Sequence, residues 1–173
     1  ALGFAVFGIF MLIALLFNSY SQPLLVILSI PFALIGVVWA FFFHSEPFSF
    51  FVLLGVLALV GVVVNDSLVM ISHLNFIKQS QDKDSSSIQW IAMGAKDRLR
   101  AVILTTLTTL AGVLPLIYGF GGKDAFLQPM VMALGYGLLF GTFVTLILLP
   151  CLYSLNLDLI NWIKKIKNSL LKT

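Results

Sequence analysis

The sequence predicts an all-α membrane protein of five transmembrane helices, with a short amphipathic cytoplasmic helix and a basic C-terminal interfacial helix beside them. Three observations predict it. Hydrophobic residues make up 60% of the chain and charged residues 10%, and the mean hydropathy is +1.08. A soluble domain carries about 25% charged residues, so this chain cannot cover itself with a solvated surface. The apolar residues fall into five long runs separated by polar segments. The charges collect in those segments and after the last run, apart from a single acid, Asp66, inside the third run.

The first run, residues 1–17, is about the minimum length for a span. It starts without Met and with no basic n-region, so a fragment of a larger protein is expected. NSYSQP (Asn18 to Pro23) makes a tight turn, and Pro23 is a helix-start signal. The second run, 24–43, carries no charge. Pro31 inside it is tolerable because neighbouring groups in a membrane bundle can satisfy the freed carbonyl. HSEP (His44 to Pro47) is the next turn, and the third run covers 48–76. At 1.5 Å per residue the third run exceeds a ~30 Å hydrocarbon core, which predicts tilt or extension beyond it.

Residues 77–100 form the one long hydrophilic stretch, expected on the cytoplasmic side. QSQDKDSSS reads as a loop. From Ile88 the pattern Ile88, Ile91, Ala92, Ala95, Leu99 predicts a short amphipathic helix along the surface, with Trp90 at the interface. The fourth run, 101–120, carries Thr105, Thr106, Thr108 and Thr109 early and Pro115 late. GGKDAF (Gly121 to Phe126) turns into the fifth run, 127–153, which is rich in Gly and Ala and so suited to close helix contact. These runs define a bundle over 1–153, followed by a tail over 154–173 with Lys164, Lys165, Lys167 and Lys172. The tail reads as a basic interfacial helix. The single cysteine, Cys151, excludes an internal disulfide and reads as a small buried hydrophobe.

Counting Lys and Arg sets the orientation. The 77–100 loop holds five (Lys78, Lys83, Lys96, Arg98, Arg100) and the tail four, whereas the turns at 44–47 and 121–126 hold only Lys123. Five spans put the loop and the tail on one side, and the positive-inside rule makes that side cytoplasmic. The basic balance therefore reports topology; without a basic patch interleaved with aromatics, nucleic acid is not an expected partner.

Asp66 is the residue that calls for a function. A carboxylate deep in hydrocarbon costs roughly 2.5–3.5 kcal/mol on insertion scales, so it is kept where it moves ions or protons, or where other helices satisfy it. Its helical neighbours are Val62, Val63, Val69 and Met70, so any partner comes from another helix. Arg98 and the threonines of the fourth run are the candidates in this chain. Two readings stand side by side: a titrating proton or ion site, or a structural acid hydrogen-bonded across helices. Asn65 is equally open to a role as interhelical glue, Thr105 and its neighbours to back-bonding within their own helix, and Arg98 and Arg100 to topology and lipid phosphates. His44 and His73 lie at span ends with no metal-ligand spacing. There is no nucleophile–base pair, HExxH or glycine-rich phosphate loop, so an enzyme is not expected, nor a metal or organic cofactor.

Three blocks together resemble the C-terminal membrane portion of the resistance–nodulation–division (RND) efflux transporters, the hydrophobe/amphiphile, acriflavin-resistance-like branch. They are FNSYSQPLLVILSIPFALIGVVWAF (Phe17 to Phe41), GVVVNDSLVMI (Gly61 to Ile71), and GAKDRLRAVILTTLTTLAGVLPL (Gly94 to Leu116), the last continued by QPMVMALGYGLLFGTFVTLILLPCLY (Gln128 to Tyr153). The resemblance implies the last five of twelve helices in an inner-membrane permease that exports drugs or other solutes on proton entry, powered by the proton-motive force. It implies a homotrimer working with a periplasmic adaptor and an outer-membrane channel, the C-terminus being cytoplasmic. It implies a proton relay in which Asn65 and Asp66 lie on the tenth helix, and Arg98 and Thr105 on the eleventh, facing paired aspartates of the missing N-terminal half. The well-studied drug pumps carry Lys-Asn where this sequence has Asn65-Asp66, so the cation expected opposite those aspartates is replaced by an acid one residue on. A reading from another class is a non-transporting polytopic scaffold or accessory subunit, with Asp66 as glue.

Overall fold

The computed structural model describes residues 2–17, 19, 21–80, 87–120, 122 and 124–170. They form five helices: α1 (Leu2–Phe17), α2 (Ser21–His44), α3 (Phe50–Ser80), α4 (Ser87–Tyr118) and α5 (Leu127–Leu170). Helices α2 to α5 are each long and apolar enough to cross a membrane; α1 is a shorter apolar helix of 16 residues. The fold is that of an all-α membrane protein.

Turn chemistry closes α2 and α4 and opens α5. Gly119 lies at φ 70° and the Phe120 amide donates to Pro115 O at 2.9 Å, a Schellman closure of α4. α2 closes in the same way with a serine. Ser45 lies at φ 51°, and the Glu46 amide reaches Phe41 O at 3.2 Å. Asp124 caps the start of α5 by accepting the Phe126 and Leu127 amides at 2.8 and 3.2 Å.

Several expectations are corrected. The amphipathic segment from Ile88 and the fourth span are one unbroken helix, because no residue between them interrupts the hydrogen-bond ladder and Gly94 alone does not end a helix. Trp90 and Ile91 do not lie along a surface. Both are buried, with the Trp90 ring edge-on to Tyr153 at 6.1 Å. The tail likewise continues α5 to Leu170. Of the loop expected at 79–87, Gln79, Ser80 and Ser87 are helical instead, and 81–86 lie outside the described residues. The side chains of Lys164, Lys165 and Lys167, and Lys172 altogether, also lie outside what the structure describes, and with them the expected basic face. Cys151 is exposed rather than buried, lining a shallow apolar groove with Ile88, Ile91 and Pro150.

α5 is the hub and packs on α2, α3 and α4. Lipid is as apolar as leucine, so helices in a membrane gain little from hiding apolar surface from one another and associate by close packing. The glycines of α5 supply that closeness. A β-carbon at Gly137 would collide with Leu59 of α3 and lie 2.8 Å from Val37 of α2. One at Gly141 would lie 3.1 Å from Ala33 and 3.2 Å from Val63. On α3, a β-carbon at Gly55 would run into the Met130 carbonyl of α5. The core this creates holds Val37, Phe41, Val52, Leu59, Val63, Met132 and Leu138. By contrast α4 leaves most of its surface uncovered.

Gly55→Val should lower the stability of this chain in detergent by about 1–3 kcal/mol, because the obstacle is backbone and cannot move aside. Gly61→Ala, whose added carbon has nothing within 4 Å, should stay within about 0.5 kcal/mol of the parent. Equilibrium unfolding followed by helical circular dichroism measures both.

Candidate functional site in the middle of the third helix

Asn65 and Asp66 stand at the centre of α3. About 22 Å of helix separates them from either end, counting 1.5 Å per residue. Asn65 is exposed and Asp66 half-buried, while the next residue, Ser67, is fully buried. The opposite face of α3 carries Leu59, Val63, Ser67, Met70 and Leu74 into the core. The acid therefore sits at the border between the packed face and an uncovered one.

Asp66 makes no hydrogen bond or ion pair among the described residues. The interhelical bonds at this depth belong to other residues. Ser67 Oγ lies 3.1 Å from Ser29 Oγ of α2, and Ser29 itself donates to Val26 O at 2.6 Å, which leaves Ser67 as the donor between them. On the α4–α5 contact, Thr106 and Thr142 meet at 2.8 Å. Each can also donate back to its own helix, to Val102 O at 2.9 Å and Leu138 O at 2.8 Å. Two hydroxyl protons serve three contacts, so one back-bond is given up whenever the cross-helix bond forms.

Thr105 and Arg98 are seven residues apart on α4 and share a face. Thr105 turns away from α5 and is exposed; its hydroxyl donates to Val102 O at 2.9 Å, and its carbonyl accepts from Thr108 and Thr109. Arg98 is half-buried, and its Nε is buried with no hydrogen bond. The fold thus places Asn65, Asp66, Arg98 and Thr105 on neighbouring helices, but no hydrogen bond or ion pair joins Asp66 to Arg98 or Thr105.

Polar clusters that the sequence reading passed over close both ends. At the end where α2 and α4 begin, Gln22 and Asn75 pair amide to amide at 3.0 and 3.1 Å, and Tyr153 donates to Asn75 Oδ1 at 2.7 Å. Lys78, Lys96, Arg98 and Arg100 lie at this end and make it the basic end of the bundle. At the far end, His44 Nδ1 bonds Ala40 O at 2.8 Å, and Tyr136 links His44 Nε2 at 3.3 Å to Tyr118 at 3.0 Å. Isolated polar residues in apolar runs were the available signal for Ser29 and Ser67; nothing local announces which threonine faces α5.

An apolar bundle whose helices are long enough to span hydrocarbon is the architecture of a multi-pass membrane protein. The profile of the AcrB/AcrD/AcrF family matches residues 1–156, and the chain belongs to that family of RND permeases. It is 35% identical over 147 residues to the Cobalt-zinc-cadmium resistance protein CzcA of Cupriavidus metallidurans, covering 85% of this chain and 14% of that protein. It is 30% identical over 150 residues to the Multidrug resistance protein MdtC of Erwinia tasmaniensis, covering 86% of this chain and 14% of MdtC. The chain therefore spans about one-seventh of the length of the curated relatives it matches. Family and apolar helices together make it part of a multi-pass inner-membrane protein.

Thr106→Val should destabilise the chain by about 0.6–1.7 kcal/mol through loss of the bond to Thr142. Thr105→Val, at an exposed position, should change stability by less than about 0.5 kcal/mol. Thermal unfolding of the two variants in one detergent tests the contrast.

Proposed function

We propose that this chain supplies part of the proton relay of an RND permease, as its last five helices, and that the permease exports drugs or other solutes across the inner membrane. The observation that carries the reading is Asp66: an acid at the centre of a membrane helix, beside the exposed Asn65, with no partner among the described residues. A structural acid would be expected to carry the interhelical hydrogen bonds, yet at this depth Ser67 and Thr106 carry them. That favours the relay over a scaffold in which Asp66 is glue.

The chemistry follows from electrostatics. Hydrocarbon disfavours the charged form of a carboxylate, and an approaching cation or water path favours it. A conformational cycle that alternates these surroundings loads and unloads a proton, and differential protonation of the two states shifts their populations. Arg98 is the cation of this chain closest in role, and Thr105 offers a hydroxyl on the same face. The aspartates that complete the relay come from the rest of the permease. The basic end is cytoplasmic, by the bias of Lys and Arg towards it. The permease acts as a transporter and not an enzyme, is driven by the proton-motive force without a cofactor, and assembles as a homotrimer with a periplasmic adaptor and an outer-membrane channel. The relatives' names, one for metal cations and one for multiple drugs, set the range of solutes to test.

Asp66→Asn in the full-length permease should abolish proton-coupled export while trimer assembly persists. Export at the parental rate, measured in cells with matched membrane levels of protein, would sink the reading.

A further inference from the structure

α4 comes close to α3 at Gly94. A β-carbon there would lie 2.8 Å from Leu74 Cδ2, 2.9 Å from Ile77 Cδ1 and 3.8 Å from His73 Cδ2. Three residues further along α4, Asp97 reaches to 3.6 Å from His73 Nε2. The His73 side chain is 21% exposed and that of Asp97 55%. His73 Nε2 is buried and stands too far from the carboxylate for a hydrogen bond, though well within range of its charge. The pair thus has a sheltered nitrogen on one side and a solvent-facing carboxylate on the other.

His73 follows Asp66 by seven residues. Both lie on one face of α3, about 10 Å apart along the axis. No titratable residue intervenes, since residues 67–72 read SLVMIS. The other ionisable groups at this level are few. α4 brings Asp97 with Lys96, Arg98 and Arg100 around it, α3 itself Lys78, and α5 Tyr153, bonded to Asn75, and Asp158. α1 contains none, and the only one in α2 is His44, at the far end.

Resting on the reading of Asp66 as a proton site, we propose that His73 and Asp97 form a proton-transfer pair between Asp66 and the solvent at the basic end. Histidine is the side chain whose ordinary titration range falls across pH 5 to 8, so it can take up and release a proton during turnover. The proton leaving the Asp66 carboxyl group crosses two helical turns through water and is taken up by the neutral His73 ring. The Asp97 carboxylate stabilises the imidazolium that forms. The imidazolium then gives one proton to bulk solvent and returns to the neutral ring. One proton enters, one leaves, and no electrons are exchanged.

The test uses the full-length permease in vesicles, with proton flux and solute transport read together. His73→Gln should slow coupled flux by about tenfold, since water alone replaces a positioned proton carrier. It should also flatten the rate profile between pH 5 and 8, and imidazole buffer on the basic-end side should restore the rate. Asp97→Asn should slow coupled flux as well, though less than His73→Gln does, because losing the carboxylate disfavours the imidazolium. Asp97 is exposed, so this second variant keeps the test decisive if His73→Gln fails to assemble. The two proposals fail separately. If Asp66→Asn transports normally, the relay reading falls and takes this inference with it. If Asp66→Asn is inactive while His73→Gln and Asp97→Asn keep the parental rate and pH profile, the pair carries no proton and only this inference is overturned.

Discussion

The close approach of α5 to α2 and α3 is the constraint on which the rest of the bundle depends. Membrane helices gain little by hiding apolar surface from lipid, so contact is decided by how near two backbones can come. Gly137 and Gly141 let α3 come near along the face that carries Leu59 and Val63. Once that face is committed, helical geometry leaves Asn65 pointing away from the core and Asp66 at its edge. The exposure of the polar pair is thus a consequence of glycine packing on the other side of the same helix.

The polar groups divide by kind as well as by place. Neutral ones pair between helices at successive levels: Gln22 with Asn75 and Tyr153, Ser29 with Ser67, Thr106 with Thr142, and His44 with Tyr136 and Tyr118. Each pairing contributes modestly, since the same hydroxyls can back-bond when apart. Together they fix the register of α2, α3, α4 and α5, because sliding any helix by one residue breaks its partner's bond. The ionisable Asp66 takes no part in this scheme among the described residues.

Much of this was legible in the sequence. Apolar runs between turn residues located the helices, since Gly119, Ser45 and Asp124 act through local geometry that a sequence displays. Asp66 stood out because hydrocarbon makes a lone carboxylate costly whatever surrounds it. The continuity of α4 was missed because a change from amphipathic to apolar pattern looks like a boundary, though the backbone ladder takes no notice of hydropathy. His73 and Asp97 were missed as a pair because their meeting depends on Gly94 admitting α3 beside α4, a contact between two separate helices. Cys151 was misjudged because apolar sequence neighbours say nothing about which face a residue occupies.

The unbroken length of α4 has a mechanical consequence. From Arg98 to Tyr118 runs about 30 Å of helix, a stiff rod that neither shortens nor folds in the middle. Most of its flank is uncovered, so it is held chiefly along one side. Whatever displaces Arg98 at one end is delivered at once to the Tyr118 hydroxyl at the other, where it strains or relieves the link to Tyr136 and His44. α4 in this sense links the basic end of the bundle to the far end.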